Sequence, residues 1–202
     1  MKTDRDRQID ELEVQIQELK TKVAALRRER PSEEVADYKF KNWQGHEVTL
    51  SELFGERDQM ILVHNMGRSC SYCTMWADGF IGLLPHLENR AAFVMTSPDE
   101  PEVQQAFAES RGWSFPMVSA AGTSFVADMG FTDEDGFMPG VSVFEKAQDG
   151  KIQRVARAEF GPGDDFCAVW HFFDLLPAGI DGWEPQLAYS APERVACCHA
   201  AT

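Results

Sequence analysis

Gln59-Met60-Ile61-Leu62-Val63-His64, followed by Cys70-Ser71-Tyr72-Cys73 and then by Trp76, Phe80, Leu83 and Leu84, is the stretch that decides the fold. The apolar run is short and bounded by polar residues, as a buried strand is, whereas the later apolar residues recur at helical spacing. The two cysteines therefore stand where a strand turns into a helix. A helix N-terminus presents unpaired N–H groups and a partial positive charge, which stabilise a thiolate, the form of cysteine that attacks disulfides. Cys73 follows Cys70 by one helical turn, close enough to close a disulfide with little rearrangement. A zinc site usually needs two such pairs, or one pair with distant histidines. Only one Cys-x-x-Cys is present, so a dithiol that cycles to a disulfide is the leading reading, ahead of metal capture or an inert pair.

Outward from this centre, strand and helix signals alternate. Val35–Phe40 and Glu47–Leu50 read as a strand pair around Gly45, Ser51–Phe54 as a short helix, Ala91–Thr96 as a strand and Glu100–Arg111 as a helix. Met117–Ser119 is extended, Val141–Lys146 and Lys151–Ala158 form a hairpin around Asp149-Gly150, and Asp164–Leu176 reads as an aromatic-rich helix. The class is α/β, with a mixed central sheet flanked by helices.

Ahead of this lies a different pattern. Ile9, Leu12, Ile16, Leu19, Val23 and Leu26 are spaced 3, 4, 3, 4, 3, a heptad seam that Pro31 ends. Ile or Val at a with Leu at d suits a parallel pair of helices, yet Lys22 and Arg27 would then bring like charges together at g and e. A homodimer through this helix is one expectation; packing along its own domain is the other. The expected organisation is residues 1–31 as an amphipathic helix, 32–180 as the globular domain and 181–202 as a C-terminal tail.

Composition limits the function. The chain of 202 residues is 44% hydrophobic, enough for one substantial core. Residues 1–30 carry eight Lys/Arg and seven Asp/Glu, so the rest holds a net charge of −15. Such a surface repels nucleic acid and anionic lipid, and no basic stripe with interleaved aromatics is present. No apolar run approaches the roughly 20 residues of a membrane span, and the N-terminus is charged, which points to a cytoplasmic protein. In that compartment the five cysteines are expected to be reduced at rest. Cys167 reads as a small buried hydrophobe, and Cys197-Cys198-His199 as a reactive tail able to bind soft metals or exchange with the central pair.

Several segments together resemble the DUF899 family of thioredoxin-like proteins. They are the leading helix, Val48-Thr49-Leu50-Ser51-Glu52-Leu53-Phe54, the Cys-x-x-Cys followed by Trp76-Ala77-Asp78, Pro85-His86-Leu87, Gly112-Trp113-Ser114-Phe115-Pro116 and Gly140-Val141-Ser142-Val143-Phe144, over roughly residues 8 to 178. The resemblance implies a thioredoxin-like fold and a dithiol-disulfide oxidoreductase that acts on a disulfide-containing protein or small thiol and needs no cofactor or metal. Thioredoxins keep a buried acid six residues before the first cysteine, to exchange a proton with the second. His64 fills that slot, and an imidazole titrates in the right range. They also place a cis proline before a strand that binds extended substrates; Pro139 stands in the corresponding relation to Phe144. Tyr72 and Trp76 would flank the site as an apolar contact surface, with core packing the leading role for Trp76. A peroxiredoxin carries threonine three residues before its peroxide-attacking cysteine; here that position is Gly67, although Arg68 could hold an anion. A peroxidase of that type and a redox- or soft-metal-responsive binding module are the alternatives.

Overall fold

The computed structural model describes residues 2–190. Helix α1 (Asp4–Glu29) begins in a capping box, with the Thr3 hydroxyl accepting from the Asp6 N–H and the Asp6 carboxylate accepting from the Thr3 N–H. Three short strands follow, β1 (Glu33–Val35), β2 (Lys39–Lys41) and β3 (Glu47–Thr49), then a 3₁₀ turn at Glu52–Phe54 and the strand β4 (Gln59–His64). Helix α2 (Ser71–Phe80) carries the Cys-x-x-Cys and runs through a second 3₁₀ turn into α3 (Leu84–Arg90). Beyond it come β5 (Ala92–Ser97), α4 (Pro101–Arg111), β6 (Met117–Ser119), α5 (Phe125–Asp128), the small pair β7 (Thr132–Asp133) and β8 (Gly136–Phe137), the long hairpin β9 (Gly140–Lys146) and β10 (Ile152–Glu159), and α6 (Val169–Phe173).

Eight strands form one mixed sheet in the order β1-β10-β9-β4-β5-β6-β2-β3. Strands β4, β5 and β6 are parallel neighbours and the remaining pairs are antiparallel. The expected Val35–Phe40 strand is split: β1 pairs with β10 on one side of the sheet and β2 with β6 and β3 on the other. Val35 and Lys39 are four residues apart, a span of at most about 14 Å. The sheet must therefore curl until its two sides approach one another.

Each face of the curled sheet covers its own core. On one face Val63, Phe93, Met95, Met117 and Val141 meet Trp76, Ala77 and Phe80 of α2, Ala108 of α4, and Trp113. On the other, Met60, Leu62, Val94, Val118 and Phe144 meet Phe40, Phe54, Phe125, Val126 and Phe131. Residues 60–63 of β4 alternate strictly between the two, as strand geometry requires.

The aromatic-rich helix expected over Asp164–Leu176 is shorter, only Val169–Phe173. The Asp164 carboxylate accepts the backbone N–H groups of Gly161, Phe166 and Cys167 at 2.9, 2.9 and 3.1 Å, so it closes a turn where the helix was expected to start. Downstream, the stretch read as a tail is docked as far as it is described. Trp183 packs on Phe173 and Trp170, Pro185 is buried, and Arg111 Nη1 donates to the Leu187 carbonyl at 2.8 Å. Cys197, Cys198 and His199 lie outside the described residues.

Helix α1 has no buried residue. It touches the domain near its C-terminal end, where Lys20 pairs with Asp165 at 2.5 Å. The six seam residues are 45–65% exposed, so they do not pack on the helix's own domain. No helix among the described residues is long and apolar enough to cross a membrane.

Candidate active site

The site lies at the C-terminal edge of the parallel strands, the usual position of a site in open α/β sheets. Asn65 extends the β4 ladder by one bond, its N–H to the Thr96 carbonyl at 2.9 Å, and the chain then turns out of the sheet. Two side chains shape that turn. Asn65 Oδ1 accepts the Gly67 N–H at 2.7 Å, and Asp99 Oδ2, from the loop after β5, accepts the Arg68 N–H at 2.9 Å. Gly67 has φ +100°, and a Cβ there would lie 3.0 Å from Asp99 Oδ2, so a larger residue at this position, threonine included, is strained and requires Asp99 to shift.

Cys70 is the N-cap of α2. Its Sγ accepts the Cys73 N–H at 3.1 Å, as a serine or aspartate oxygen does at other helix starts. The Cys70 carbonyl accepts the Thr74 N–H and hydroxyl at 3.0 and 2.9 Å. Cys73 points inward and is buried, with the Met66 N–H directed at its Sγ from 3.4 Å, while Cys70 is half-buried. Hydrogen bonds from the Cys73 thiol and from the Cys73 and Tyr72 N–H groups bring the Cys70 pKa down to about 7 against the opposing effect of burial. The same thiol–thiol bond and the burial of Cys73 push that thiol far up, so the pair shares one acidic proton site, at Cys70. Both cysteines are free thiols.

The other residues expected at the site are dispersed. His64 is buried on the opposite face of the sheet from α2, its ring stacked on Phe131 at 4.0 Å and near Phe125 at 5.5 Å. Its Nε2 meets Ser142 Oγ at 2.9 Å, and burial, with Arg154 adding to it, drives its pKa down to about 3, so it stays neutral. Gly140 makes room for that stack, since a Cβ there would lie 2.2 Å from the Phe131 ring. The proton exchange expected between His64 and Cys73 is thus precluded by strand alternation. A His64→Phe variant is expected to leave the pH dependence of Cys70 alkylation unchanged; a midpoint displaced by a unit would return the histidine to the site.

Pro139 departs from expectation as well. Every peptide bond among the described residues is trans, Pro139 has no N–H, and its carbonyl already accepts the Phe160 N–H at 3.0 Å inside the protein's own sheet edge. Trp76 is buried on the inner face of α2, with its Nε1–H directed at Asp164 Oδ1, 3.4 Å away, and presents no contact surface. Tyr72 remains beside Cys70, half-buried and stacked on Trp170 at 6.2 Å. The exposed Arg68 side chain lies over α4, beside Glu102, Phe107 and Ser110.

Four contributors escaped the sequence reading: Asn65 and Asp99, which shape the turn, Met66, which reaches both cysteines, and Asp78. The last accepts from Trp113 Nε1 at 2.9 Å and Arg111 Nε at 3.1 Å, tying the far end of α2 to α4. Asp99 had a usable signal, since it sits in the Ser97-Pro98-Asp99 loop that leaves the neighbouring parallel strand on the cysteines' side. Among the described residues no three His, Cys, Asp or Glu side chains converge as metal ligands.

The family described as "Bacterial protein of unknown function (DUF899)" matches residues 3–190. The chain belongs to the DUF899 family. The match takes in the leading helix and the docked Trp183 segment along with the sheet. Asp78 and Trp113, two residues of the segments that carried the resemblance, are thus joined by a hydrogen bond in this DUF899 chain. A search of curated proteins returns no match. Among solved structures, the chain is similar to peroxidoxin BcpB from Mycobacterium tuberculosis, with 25% identity and a TM-score of 0.52 over 63% of this chain and 84% of that one. It is also similar to peroxiredoxin Q from Xanthomonas campestris, at 19% identity and TM-score 0.54 over 63% and 84%, and to a mutant of PrxQ from Xylella fastidiosa, at 14% and 0.54 over 64% and 85%. These neighbours place the domain in the thioredoxin fold.

Proposed function

We propose that this chain is a dithiol-disulfide oxidoreductase of a reducing compartment such as the cytoplasm. The observation that carries the reading is the asymmetry of the pair: a half-buried Cys70 with its pKa lowered to about 7 beside a buried Cys73 whose thiol is held protonated. Cys70 thiolate attacks one sulfur of a substrate disulfide and forms a mixed disulfide, and the first substrate sulfur leaves as a thiolate that takes a proton from solvent. Cys73 then gives its proton to the second leaving sulfur and attacks Cys70 Sγ. The product is the Cys70–Cys73 disulfide and a fully reduced substrate, two electrons having passed outward; a small thiol or partner dithiol returns them. With His64 on the other face, the acceptor of the Cys73 proton is the leaving substrate sulfur itself. Tyr72 supplies the apolar surface beside the reacting sulfur, and Arg68 lies on the rim toward α4.

Alkylation of Cys70 follows its thiolate fraction, so the rate is expected to be half-maximal near pH 7 and to fall about tenfold per unit below pH 6. A midpoint near 9, that of an ordinary thiol, would remove the activated nucleophile. Titration against glutathione buffers with mass-tagging of free thiols tests the reading: a reversible two-electron transition at Cys70 and Cys73 is expected, and failure to form that disulfide would overturn it.

The likeness to peroxidoxin BcpB supports a second reading, in which Cys70 reduces a peroxide. The thiolate would take one peroxide oxygen as sulfenic acid, releasing water or an alcohol, and Cys73 would expel water to close the disulfide. The position where peroxiredoxins place a threonine, three residues before the cysteine, is Gly67 here, in a backbone conformation that strains a larger residue. Disulfide exchange is therefore preferred. Peroxide consumption outpacing disulfide reduction by the same preparation would reverse that order.

The open seam of α1 supports a second copy of this chain as partner. Its e positions run Asp6, Glu13, Lys20, Arg27, acidic first and basic last, so two antiparallel copies would oppose unlike charges and avoid the Lys22–Arg27 clash. A Leu12→Glu/Leu19→Glu variant is expected to turn a dimer into a monomer by light scattering, with thiol chemistry retained. A monomeric wild-type chain at sub-millimolar concentration would remove this partner.

A further inference from the structure

The thioether of Met66 is a third sulfur at the cysteine pair, and disulfide exchange makes no use of it. Its Sδ lies 3.9 Å from Cys70 Sγ, the Met66 N–H is directed at Cys73 Sγ from 3.4 Å, and the Cys73 N–H donates to Cys70 Sγ at 3.1 Å. A three-coordinate ion held about 2.3 Å from each sulfur requires sulfur–sulfur separations of about 4 Å. The Met66 Sδ–Cys70 Sγ separation meets that requirement for one of the three pairs. Two thiols and one thioether are a soft donor set, which selects Cu(I) over the divalent ions that prefer nitrogen or oxygen. Among the described residues the carboxylate that shapes this turn, Asp99, is engaged with the Arg68 N–H and the Ser97 hydroxyl. Met66 comes from the loop before α2, and both cysteines from its first turn, so the three donors approach from two segments and leave the half-buried side of Cys70 as the way in.

We infer that Met66, Cys70 and Cys73 form a trigonal Cu(I) site. On binding, the two thiols release their protons to solvent, three Cu–S bonds form and copper remains Cu(I), so no electron is transferred. The site uses the same cysteines as the proposed disulfide chemistry but does not depend on it. Copper and the disulfide exclude one another, because a disulfide removes both thiolate ligands.

The test uses the full chain carrying Cys197→Ser and Cys198→Ser, so that tail sulfurs do not contribute. Anaerobic titration with Cu(I), with bathocuproine disulfonate as coloured competitor, is expected to give one ion per chain, and X-ray absorption a shell of three sulfurs. Met66→Leu should weaken binding by at least about tenfold and leave two sulfurs, the usual scale for losing a supporting metal contact or more. Cys70→Ser should lose the ion to the competitor. An unchanged affinity in Met66→Leu, uptake no greater than that of a Cys70→Ser/Cys73→Ser double variant, or equal affinity for Zn(II) would overturn the site. Wild-type chain that reduces disulfides yet captures no copper sinks the copper site alone, and copper capture without disulfide exchange supports it while sinking the oxidoreductase reading.

Discussion

In a Cys73→Ser variant, the adduct that Cys70 forms with a substrate disulfide is expected to accumulate, whereas Cys70→Ser should form none and lose turnover altogether. The reason is positional. Cys73 is buried beneath Cys70 and lies within hydrogen-bonding reach of it, so it is the nearest group able to displace the bound substrate sulfur. Replacing it by serine keeps a short polar side chain there but removes the sulfur nucleophile. Turnover in either variant should fall by about a thousandfold or more, the scale expected when a covalent step loses its nucleophile. The check is non-reducing electrophoresis and mass spectrometry after oxidising load. Adducts in Cys70→Ser, or none in Cys73→Ser, would defeat the assigned order of attack and resolution.

Trp76→Ala should unfold far more readily than the parent. Trp76 is 2% exposed, packs on Phe160 at 5.4 Å and Tyr72 at 6.2 Å, and directs its indole N–H at Asp164. Truncating a buried tryptophan costs about 3–5 kcal/mol, and the polar turn at Asp164 loses a donor besides. For a chain of this size that corresponds to a melting temperature lower by about 10–15 °C. Thermal denaturation followed by circular dichroism gives the answer. A loss below about 1 kcal/mol, accompanied by weaker substrate binding, would assign the side chain a surface role instead.

The parts of the fold legible in the sequence are those written in local pattern. The run from Gln59 to His64 and the short Met117–Ser119 segment are strands with those limits, and the hairpin closes at Asp149-Gly150, where the Asp149 carboxylate accepts the Lys151 N–H. What misled were features fixed by tertiary structure. Nothing local in Val35–Phe40 says that its two ends join opposite sides of a sheet, because that depends on how far the sheet curls. At Asp164 local chemistry was present but outweighed: aromatic spacing suggested a helix, while Gly161-Pro162-Gly163 ahead of an aspartate spelled a turn.

The site shows the same division. Cys70 and Cys73 stand out because strand, turn and helix are contiguous around them. His64 matches the thioredoxin acid by spacing alone, and spacing along a strand leaves open which face the active helix covers. Counting from Val63, which packs beneath α2, would have set His64 on the far side, but the packing of Val63 is itself a tertiary fact. Asp99 holds the turn before α2, and Asp78 ties α2 to Arg111, each across a gap of more than 30 residues, so their contribution follows only from the strand order.

The placement of Cys70 as helix cap links two quantities that are measured separately. Its sulfur is the acceptor that begins α2, and once bonded to Cys73 it can no longer serve as a charged acceptor. Oxidation therefore weakens the start of the helix, and whatever the cap contributes to folding is lost with the two electrons. By the cycle connecting folding to reduction, each 1.4 kcal/mol by which the cap favours the dithiol raises the potential by about 30 mV. The oxidising strength of the pair is thus set partly by how well a thiolate begins a helix, and substitutions along the first turn of α2 should shift thermal stability and redox potential together.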